Sequence, residues 1–460
     1  MDQTRVDVAH GVAMMAERCE SVGQVRHRKY TTYRDSGLPW VGAVPTSWTI
    51  VPVYARYEVA LGKMLDAKQI SGVHLKPYLR NVDVQWDKVN IEELPLMDFA
   101  PADRERFSLR PGDLLVCEGG EVGRTAMWQG ELDDCYYQKA LHRVRPRDTS
   151  DLPRFFYYVM WTAAKQGVFS GSANANTIDH LTAVQLRHFH FPLPGPAEQR
   201  AIADFLDRET AEIDALIAKK ERLIELLQEK RTALITRAVT KGLDPSVPMK
   251  DSGVEWLGEM PAHWEVSSNR HLFREVDVRS HSGEEELLTV SHITGVTRRS
   301  EKVVTMIEAE SHKGYKRCQE GDLVVNTMWA WMGALGVAKE AGIVSPAYNV
   351  YGFSRNTLLP AYLDLVCRVP AYVCDLIRHS KGVWRSRLRL YPDEFRDVVT
   401  MVPSIEEQAR IVAVLEKESA RIQRLGQQVQ NAIDHLKEYR TALISAAVTG
   451  KIDVRGEEVA

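Results

Sequence analysis

The chain contains two copies of one unit, and this repetition restricts its fold more than any other feature. Residues 198–240 begin with EQRAIADFLDRE and end with KRTALITRAVT, and residues 407–449 begin with EQARIVAVLEKE and end with YRTALISAAVT. The two segments align without gaps and share 19 identical residues in 43. A second pair of segments, RDSGLPWVGAVPTSWTI at 34–50 and KDSGVEWLGEMPAHWEV at 250–266, precedes them in the same order. This order indicates a duplicated structural unit.

Each of the two longer segments has the apolar pattern of a helix that pairs with another helix. In the second copy, five apolar residues recur every seven positions: Leu415, Ile422, Val429, Leu436 and Leu443. An apolar seam of this period is typical of a coiled coil. Gly242 and Pro245 end the first helix. We predict that the two long helices pair with each other; the alternative is that their apolar stripes pack on globular domains.

The remaining shared motifs favour a structural role. In the tryptophan motif, the glycines and the proline suit turns, and the tryptophans suit a core. GDLLV at 112–116 and GDLVV at 321–325 are matching signals for a turn followed by a strand. Residues 52–107 and 267–315, by contrast, have little in common. Matched frames with unlike inserts indicate two domains that recognise different things.

Composition limits the class of protein. No apolar run approaches the ~18 residues that a membrane span needs, so we expect no membrane contact. The six cysteines form no C-x-x-C pair, which favours reduced thiols in the cytoplasm and no zinc site. The net charge of -3 counts mildly against nucleic-acid binding but does not exclude a locally basic face.

The ordered motifs resemble the specificity (S) subunit of type I restriction-modification systems. They are DSG-x-x-W-x-G-x-x-P-x-x-W, GDL-[LV]-V, and a proline followed by EQ and a helix that ends in RTALI-x-x-AVT, each present twice. The resemblance begins at about Lys29. It implies an α+β fold with an internal pseudo-twofold repeat, in which two globular target recognition domains are joined by two long helices that pair as an antiparallel coiled coil.

The expected segments are a leader or flexible tail at 1–28, a first recognition domain at 29–193, a first spacer helix at 194–242, a second recognition domain at 243–402, a second spacer helix at 403–451 and a tail at 452–460.

The resemblance also implies a function. Each recognition domain would bind one half of a bipartite site in double-stranded DNA, and the helices would set the distance between the halves. Two methyltransferase (M) subunits and two restriction (R) subunits would dock on this chain. The chain itself would bind no cofactor, while its partners would use S-adenosylmethionine, ATP and Mg²⁺.

Motifs for catalysis are missing from the sequence. It contains no G-x-x-x-x-G-K-[ST] loop, no Asn/Asp-Pro-Pro-aromatic methyltransferase motif and no H-E-x-x-H metal motif. We therefore predict no catalytic residue and no metal site. For the same reason, a degenerate methyltransferase is the weakest of the functional hypotheses. The main alternative is a non-catalytic coiled-coil scaffold or adaptor whose paired domains bind protein.

Two segments at equivalent positions of the copies are candidates for DNA contact. In KGVWRSRLRL at 381–390, Arg385, Arg387 and Arg389 alternate, so they would share one face if extended. Their guanidiniums suit phosphates or a guanine edge; the alternative is a solvated strand face. In GSANANTIDH at 171–180, Asn174 and Asn176 could pair with adenine, although an ordinary polar loop has the same composition.

Further candidates lie outside these two segments. Arg143, Arg145 and Arg147 repeat the alternating pattern and are candidate phosphate ligands. Trp329 and Trp331 favour a strand core over a platform for stacking bases.

The long helices carry apolar residues beyond their seams. Leu226 and Ile235 in the first helix, with Leu443 in the RTALI end of the second, are candidate docking residues for the partner subunits. The alternative is that this apolar surface is buried within the chain itself.

Overall fold

Two compact units make up the described part of the chain. The computed structural model describes residues 27–64, 71–170, 180–302, 311–384 and 387–456. The first unit joins the described chain up to Ala218 to the segment from Ile433 onward, and the second comprises Lys219–Ala432. Both divisions fall inside the long helices, so the units do not follow the predicted segment boundaries. Each unit contains helices and sheets, which confirms the predicted α+β class.

The first unit is built around an antiparallel sheet. Its strands are β1 (Tyr33–Asp35), β2 (Ala43–Pro45), β3 (Thr49–Pro52), β4 (Tyr57–Leu61), β5 (Leu75–Leu79), β6 (Val84–Gln85), β7 (Lys88–Val89), β8 (Leu96–Asp98), β9 (Leu114–Cys117), β10 (Thr125–Met127), β11 (Tyr136–Tyr137), β12 (Leu141–Pro146) and β13 (His190–Leu193). Its helices are α1 (Val53–Arg56), α2 (Pro101–Phe107), α3 (Pro153–Lys165), α4 (Ala183–His188) and the first part of α5 (Pro196–Lys241). The main sheet has the order β10-β9-β12-β4, which places β12 inside it.

The second unit repeats this plan. Its strands are β14 (Met249–Asp251), β15 (Glu259–Pro261), β16 (Glu265–Ser268), β17 (Phe273–Val276), β18 (Leu288–Ser291), β19 (Gly295–Arg298), β20 (Lys316–Cys318), β21 (Leu323–Asn326), β22 (Leu335–Val337), β23 (Gly342–Val344), β24 (Tyr348–Phe353) and β25 (Val399–Val402). Its helices are α6 (Asn269–Leu272), α7 (Pro360–Val366), α8 (Pro370–His379), α9 (Pro392–Asp397) and the first part of α10 (Ile405–Val448). The main sheet is ordered β22-β21-β24-β17, the order that β10-β9-β12-β4 has in the first unit.

The repeated tryptophan motif is structural, as predicted. At 35–37 and at 251–253, the aspartate Oδ1 accepts a hydrogen bond from the amide of the glycine two residues later, at 3.1 Å and 3.0 Å. Both glycines have a φ of +71°, a conformation that costs a side-chain-bearing residue free energy. Trp48 and Trp264 are fully buried. The motif therefore folds the chain locally and supplies core volume.

The repeated EQ dipeptide joins each long helix to its unit. Gln199 Oε1 accepts from the Leu152 amide at 2.9 Å, and Gln408 Oε1 accepts from the Leu359 amide at 2.7 Å. Leu152 and Leu359 are the N-caps of α3 and α7, where backbone amides lack helical partners. Both glutamines are buried. Each copy thus uses one side chain to tie the start of its long helix to a helix of the same unit.

Within each unit, parts of the two long helices run antiparallel. In the first unit, Arg440 Nε lies 3.0 Å from Asp214 Oδ1, and Arg455, just after α10, lies 3.6 Å from Glu198. In the second unit, Arg231 Nε lies 3.4 Å from Ser419 Oγ, and Glu407 lies beside Gly242. The sequence positions rise on one helix while they fall on the other, which confirms antiparallel pairing. None of the described helices is both long enough and apolar enough to cross a membrane.

The segment after α10 is partly packed, unlike the tail predicted for 452–460. The Asp453 amide donates to the Arg28 carbonyl at 2.8 Å, and Val454 is buried. The described residues 452–456 therefore belong to the first unit. Most of the predicted leader, 1–26, lies outside the described residues, as do 457–460.

Candidate nucleic-acid interface

The alternating arginines of the first unit lie on strand β12. Strand β12 pairs with β9 on one edge and with β4 on the other, and its residues from Leu141 to Val144 are buried on both faces. Arg143 is 3 % exposed. Its Nη2 donates to Glu58 Oε1 at 2.8 Å, and its Nη1 donates to the carbonyls of Arg106 and Ser108 at 3.0 and 3.1 Å. A phosphate has no access to this guanidinium.

Arg145 is occupied by an ion pair with the aspartate of the GDL motif. Its Nε donates to Asp113 Oδ1 and its Nη2 donates to Asp113 Oδ2, and each hydrogen bond is 2.6 Å long. Hydrogen bonding to Asp113 raises the pKa of the Arg145 guanidinium. This fork joins β12 to the turn before β9. The prediction that Arg143 and Arg145 bind DNA is wrong, because both side chains satisfy carboxylates and carbonyls of their own domain.

The second arginine cluster has a different environment. Arg387 and Arg389 are exposed, and neither guanidinium has an acidic partner among the described residues. The extended conformation that would put the alternating arginines on one face is absent from the described part of this segment, because the Arg387 amide donates to the Trp384 carbonyl in a turn, at 2.8 Å. Arg389 exchanges two backbone hydrogen bonds with Lys381, each 2.9 Å. Arg385 lies outside the described residues, as do Asn174 and Asn176, so these three remain predictions.

An aromatic surface adjoins Arg387 and Arg389. Trp329 and Tyr391 line, with these arginines, an open depression of about 730 Å³. The rings of Trp329 and Trp331 stack with centroids 6.1 Å apart. Trp329 is 50 % exposed, so its interpretation as strand core is wrong. Aromatic faces beside unpaired cations are suited to nucleobases and phosphates.

The three candidate docking residues have different environments. Leu226 is 45 % exposed, whereas Ile235 and Leu443 are buried. Ile235 belongs to the core of the second unit, together with Trp264 and Leu415. The prediction that Ile235 and Leu443 dock a partner is therefore wrong, since each packs inside its own unit. Leu226 stays a candidate.

Open surfaces on the long helices occur at repeat-equivalent positions. A depression of about 820 Å³ follows the second half of α5, from Glu225 to Lys241, and one of about 520 Å³ lies between the second half of α10, from Lys437 to Ser445, and the end of α3. Four exposed residues on each helix align in the repeat: Gln228, Glu229, Thr232 and Ala233 on α5, and Lys437, Glu438, Thr441 and Ala442 on α10. Both units thus present a similar helical face.

Buried titratable groups in the units are structural. Burial raises the pKa of Cys117 to about 11 and that of Cys367 to about 12, and it lowers the pKa of His142. These shifts keep the thiols and the imidazole neutral near pH 7. Within the described ranges, no group of three or more His, Cys, Asp or Glu side chains is arranged to hold a metal ion.

Comparisons with known proteins agree with the sequence motifs. Residues 58–226 match the family model described as type I restriction modification DNA specificity domain. The specificity subunit of the type I restriction enzyme EcoBI of Escherichia coli is 24% identical over 380 residues, 76% of this chain and 75% of the relative. That of EcoKI from Escherichia coli strain K12 is 21% identical and covers 89% of this chain and 90% of the relative. Residues 58–226 are thus similar to the DNA specificity domain of type I restriction-modification systems, and the longer alignments extend the similarity to whole specificity subunits.

Solved structures share the fold of this chain. A chain from a study of complex assembly and conformational transition in the type I R-M system aligns with a TM-score of 0.66 at 15% identity, over 88% of this chain and 98% of that chain. The HsdS subunit from Thermoanaerobacter tengcongensis aligns with a TM-score of 0.53, also at 15% identity, over 89% and 98%. These alignments cover most of the chain, whereas the family model matches only residues 58–226.

Sequence reasoning missed the apolar residues of the basic segment at 381–390. In KGVWRSRLRL the prediction of DNA contact was based on the arginines alone, yet Val383 and Trp384 are 93 % and 69 % exposed. The available signal was a tryptophan directly after Gly382 and Val383 in a segment rich in cations. An apolar pair in such a polar context is a poor fit for a strand core.

Proposed function

We propose that each unit of this specificity subunit recognises one half of a bipartite target in double-stranded DNA. The observation that carries the proposal is a shared frame with unlike surfaces: both sheets have one strand order, and the tryptophan and EQ motifs make the same hydrogen bonds. The inserts between these motifs differ in sequence almost throughout. One frame then carries two surfaces of different specificity, and the long helices set the distance between the half-sites.

The second unit would contact DNA through Arg387 and Arg389. Their exposure and lack of acidic partners in the described part of the chain support this assignment. Arginines that contact phosphates release counterions from the DNA. The logarithm of the binding constant should therefore fall linearly with the logarithm of the salt concentration. A chain that bound no duplex in this salt-dependent way would instead favour the alternative, a scaffold that binds protein.

The chain would direct two methyltransferase subunits and two restriction subunits to this target. The similar exposed faces on α5 and α10 support two equivalent docking sites, as two copies of one partner require. We infer that methyl transfer and cleavage belong to those partners, which would use S-adenosylmethionine, ATP and Mg²⁺. In this proposal the specificity subunit is non-catalytic.

Methylation mapping tests the proposal. Cells that express this chain with its methyltransferase partner should methylate adenines in a motif of two short sequences separated by a fixed unspecified spacer. A single contiguous motif would contradict two separate half-sites. The purified chain without its partners should transfer no methyl group from radiolabelled S-adenosylmethionine to the same DNA; transfer by the chain alone would refute the non-catalytic assignment.

A further inference from the structure

We propose that Trp384 stacks on a base of the target duplex, as an aromatic wedge flanked by Arg387 and Arg389. This inference rests on the proposed DNA-binding function and extends it to one side chain of the second unit. It names a contact with a base rather than with the phosphate backbone.

The first observation is the concentration of exposed apolar side chains. Val383, Trp384 and Trp329 are 93 %, 69 % and 50 % exposed, and Tyr391 is also exposed. Large apolar side chains of soluble proteins are usually buried, and neighbouring exposed ones indicate interaction sites. All four lie within or beside one segment of the second unit.

The second observation is that the backbone is built to present this segment. Lys381 and Arg389 exchange amide-to-carbonyl hydrogen bonds of 2.9 Å in both directions. A Cβ atom at Gly382 would lie 2.7 Å from the Arg387 carbonyl oxygen, so a larger residue would force the segment apart. The adjoining Leu390 is buried, and its amide donates to the Thr327 carbonyl at 3.0 Å. These contacts anchor the base of the segment next to Trp329 and leave Val383 and Trp384 in solvent.

The third observation is charge, which selects DNA among possible partners. Lys381 is paired with Glu394, but Arg387 and Arg389 have no acidic partner among the described residues. If the partner were a protein with an apolar groove, binding would desolvate the Arg387 and Arg389 guanidiniums without providing an acidic partner for either. Duplex DNA offers phosphates to the arginines and base faces to the tryptophan, and proteins that insert apolar side chains between base steps combine these contacts.

The test compares variants of the full chain, assembled with its methyltransferase partners, on a duplex that contains the mapped target. Trp384→Ala should weaken binding about 5- to 150-fold, the range for loss of one base–aromatic stack, without changing the salt slope. Trp384→Phe should retain most of the affinity. Arg387→Ala should instead reduce the salt slope by about one unit, while Arg355→Ala, which removes another exposed arginine of the same unit, should not.

A second measurement does not depend on any variant. With 5-iodouracil replacing thymine at single positions, irradiation should crosslink the wild-type complex through the tryptic peptide 382–385. Wild-type affinity of Trp384→Ala, together with no crosslink to this peptide, would overturn the inference. Weaker assembly of Trp384→Ala with the methyltransferase, with wild-type DNA affinity in the complex that does form, would also overturn it, since Trp384 would then bind protein. If the wild-type complex showed no salt-dependent binding to duplex DNA, the proposed function itself would instead be refuted.

Discussion

Asparagine in place of Asp113 and in place of its repeat equivalent Asp322 should change stability in opposite directions. Both aspartates follow the glycine of the GDL motif, and each Oδ2 accepts a 2.7 Å hydrogen bond from the amide three residues earlier, of Arg110 in one copy and of Gln319 in the other. The copies differ in whether the aspartate has a second partner. Asp113 is paired with Arg145, whereas Asp322 has no ion pair among the described residues.

The size of the Asp113→Asn effect can be worked from the ion pair. The Asp113 side chain is almost fully buried, and Arg145 reaches it through two hydrogen bonds of 2.6 Å. Removing one partner of a buried pair costs about 3–5 kcal/mol because the other charge is left uncompensated. Arg145 keeps some solvent contact, so we expect the lower end, about 3 kcal/mol.

Asp322→Asn should stabilise the second unit at neutral pH. Burial raises the pKa of Asp322, with the Gln319 amide and Arg274 opposing the shift. A carboxyl group whose pKa is higher in the folded state binds its proton more tightly there, so its contribution to stability falls as pH rises from the ordinary carboxyl pKa through the raised one. Asparagine stays neutral and can still accept the Gln319 hydrogen bond, so the variant should lack this pH-dependent loss.

Hydrogen–deuterium exchange of the full chain separates the two effects. Asp113→Asn should increase exchange in peptides covering β9 and β12, and Asp322→Asn should decrease it in peptides covering β21 and β24 at pH 7 but not in mild acid. Destabilisation of similar size in both variants would refute the reasoning, because the turn hydrogen bond alone would then account for the role of the aspartate.

Three further predictions concern the helices and the basic segment. A heptad inserted after Lys220, with a matching heptad in α10, lengthens the paired helices by about 10 Å. Methylation mapping should then show a spacer that is longer by about three base pairs, with unchanged half-sites. Altered half-sites with the original spacer would show that the helices do not set the distance between the half-sites. Leu226→Glu should reduce co-purification of the methyltransferase without lowering the melting temperature, whereas Leu443→Glu should unfold the first unit; the reverse result would contradict their assigned environments. The double variant Arg387→Ala/Arg389→Ala should lower the salt slope of duplex binding by about two units, and an unchanged slope in a folded protein would remove both residues from the DNA contact.

The sequence alone determined the features that arise from local interactions. A seven-residue apolar period commits a long segment to helix pairing, and the aspartate-to-glycine hydrogen bonds at 35–37 and 251–253 span only two residues. Duplication made these patterns stand out, since each occurs twice in one order. The α+β class, the pairing of two long helices and the structural role of the tryptophan motif could therefore be predicted, whereas the antiparallel direction of the helices was implied only by the family resemblance.

Only the tertiary structure decided which polar and apolar side chains are free to bind a partner. Arg143, Arg145 and Arg389 occur in the same alternating pattern, but Glu58 and Asp113, which are 85 and 32 positions away in the chain, occupy the first two. Ion pairs of this kind depend on which strands become neighbours, and a local pattern does not contain that information. For the same reason, Leu226 is exposed and Leu443 is buried although both lie on amphipathic helices, because the packing of the surrounding unit sets the burial of each side chain.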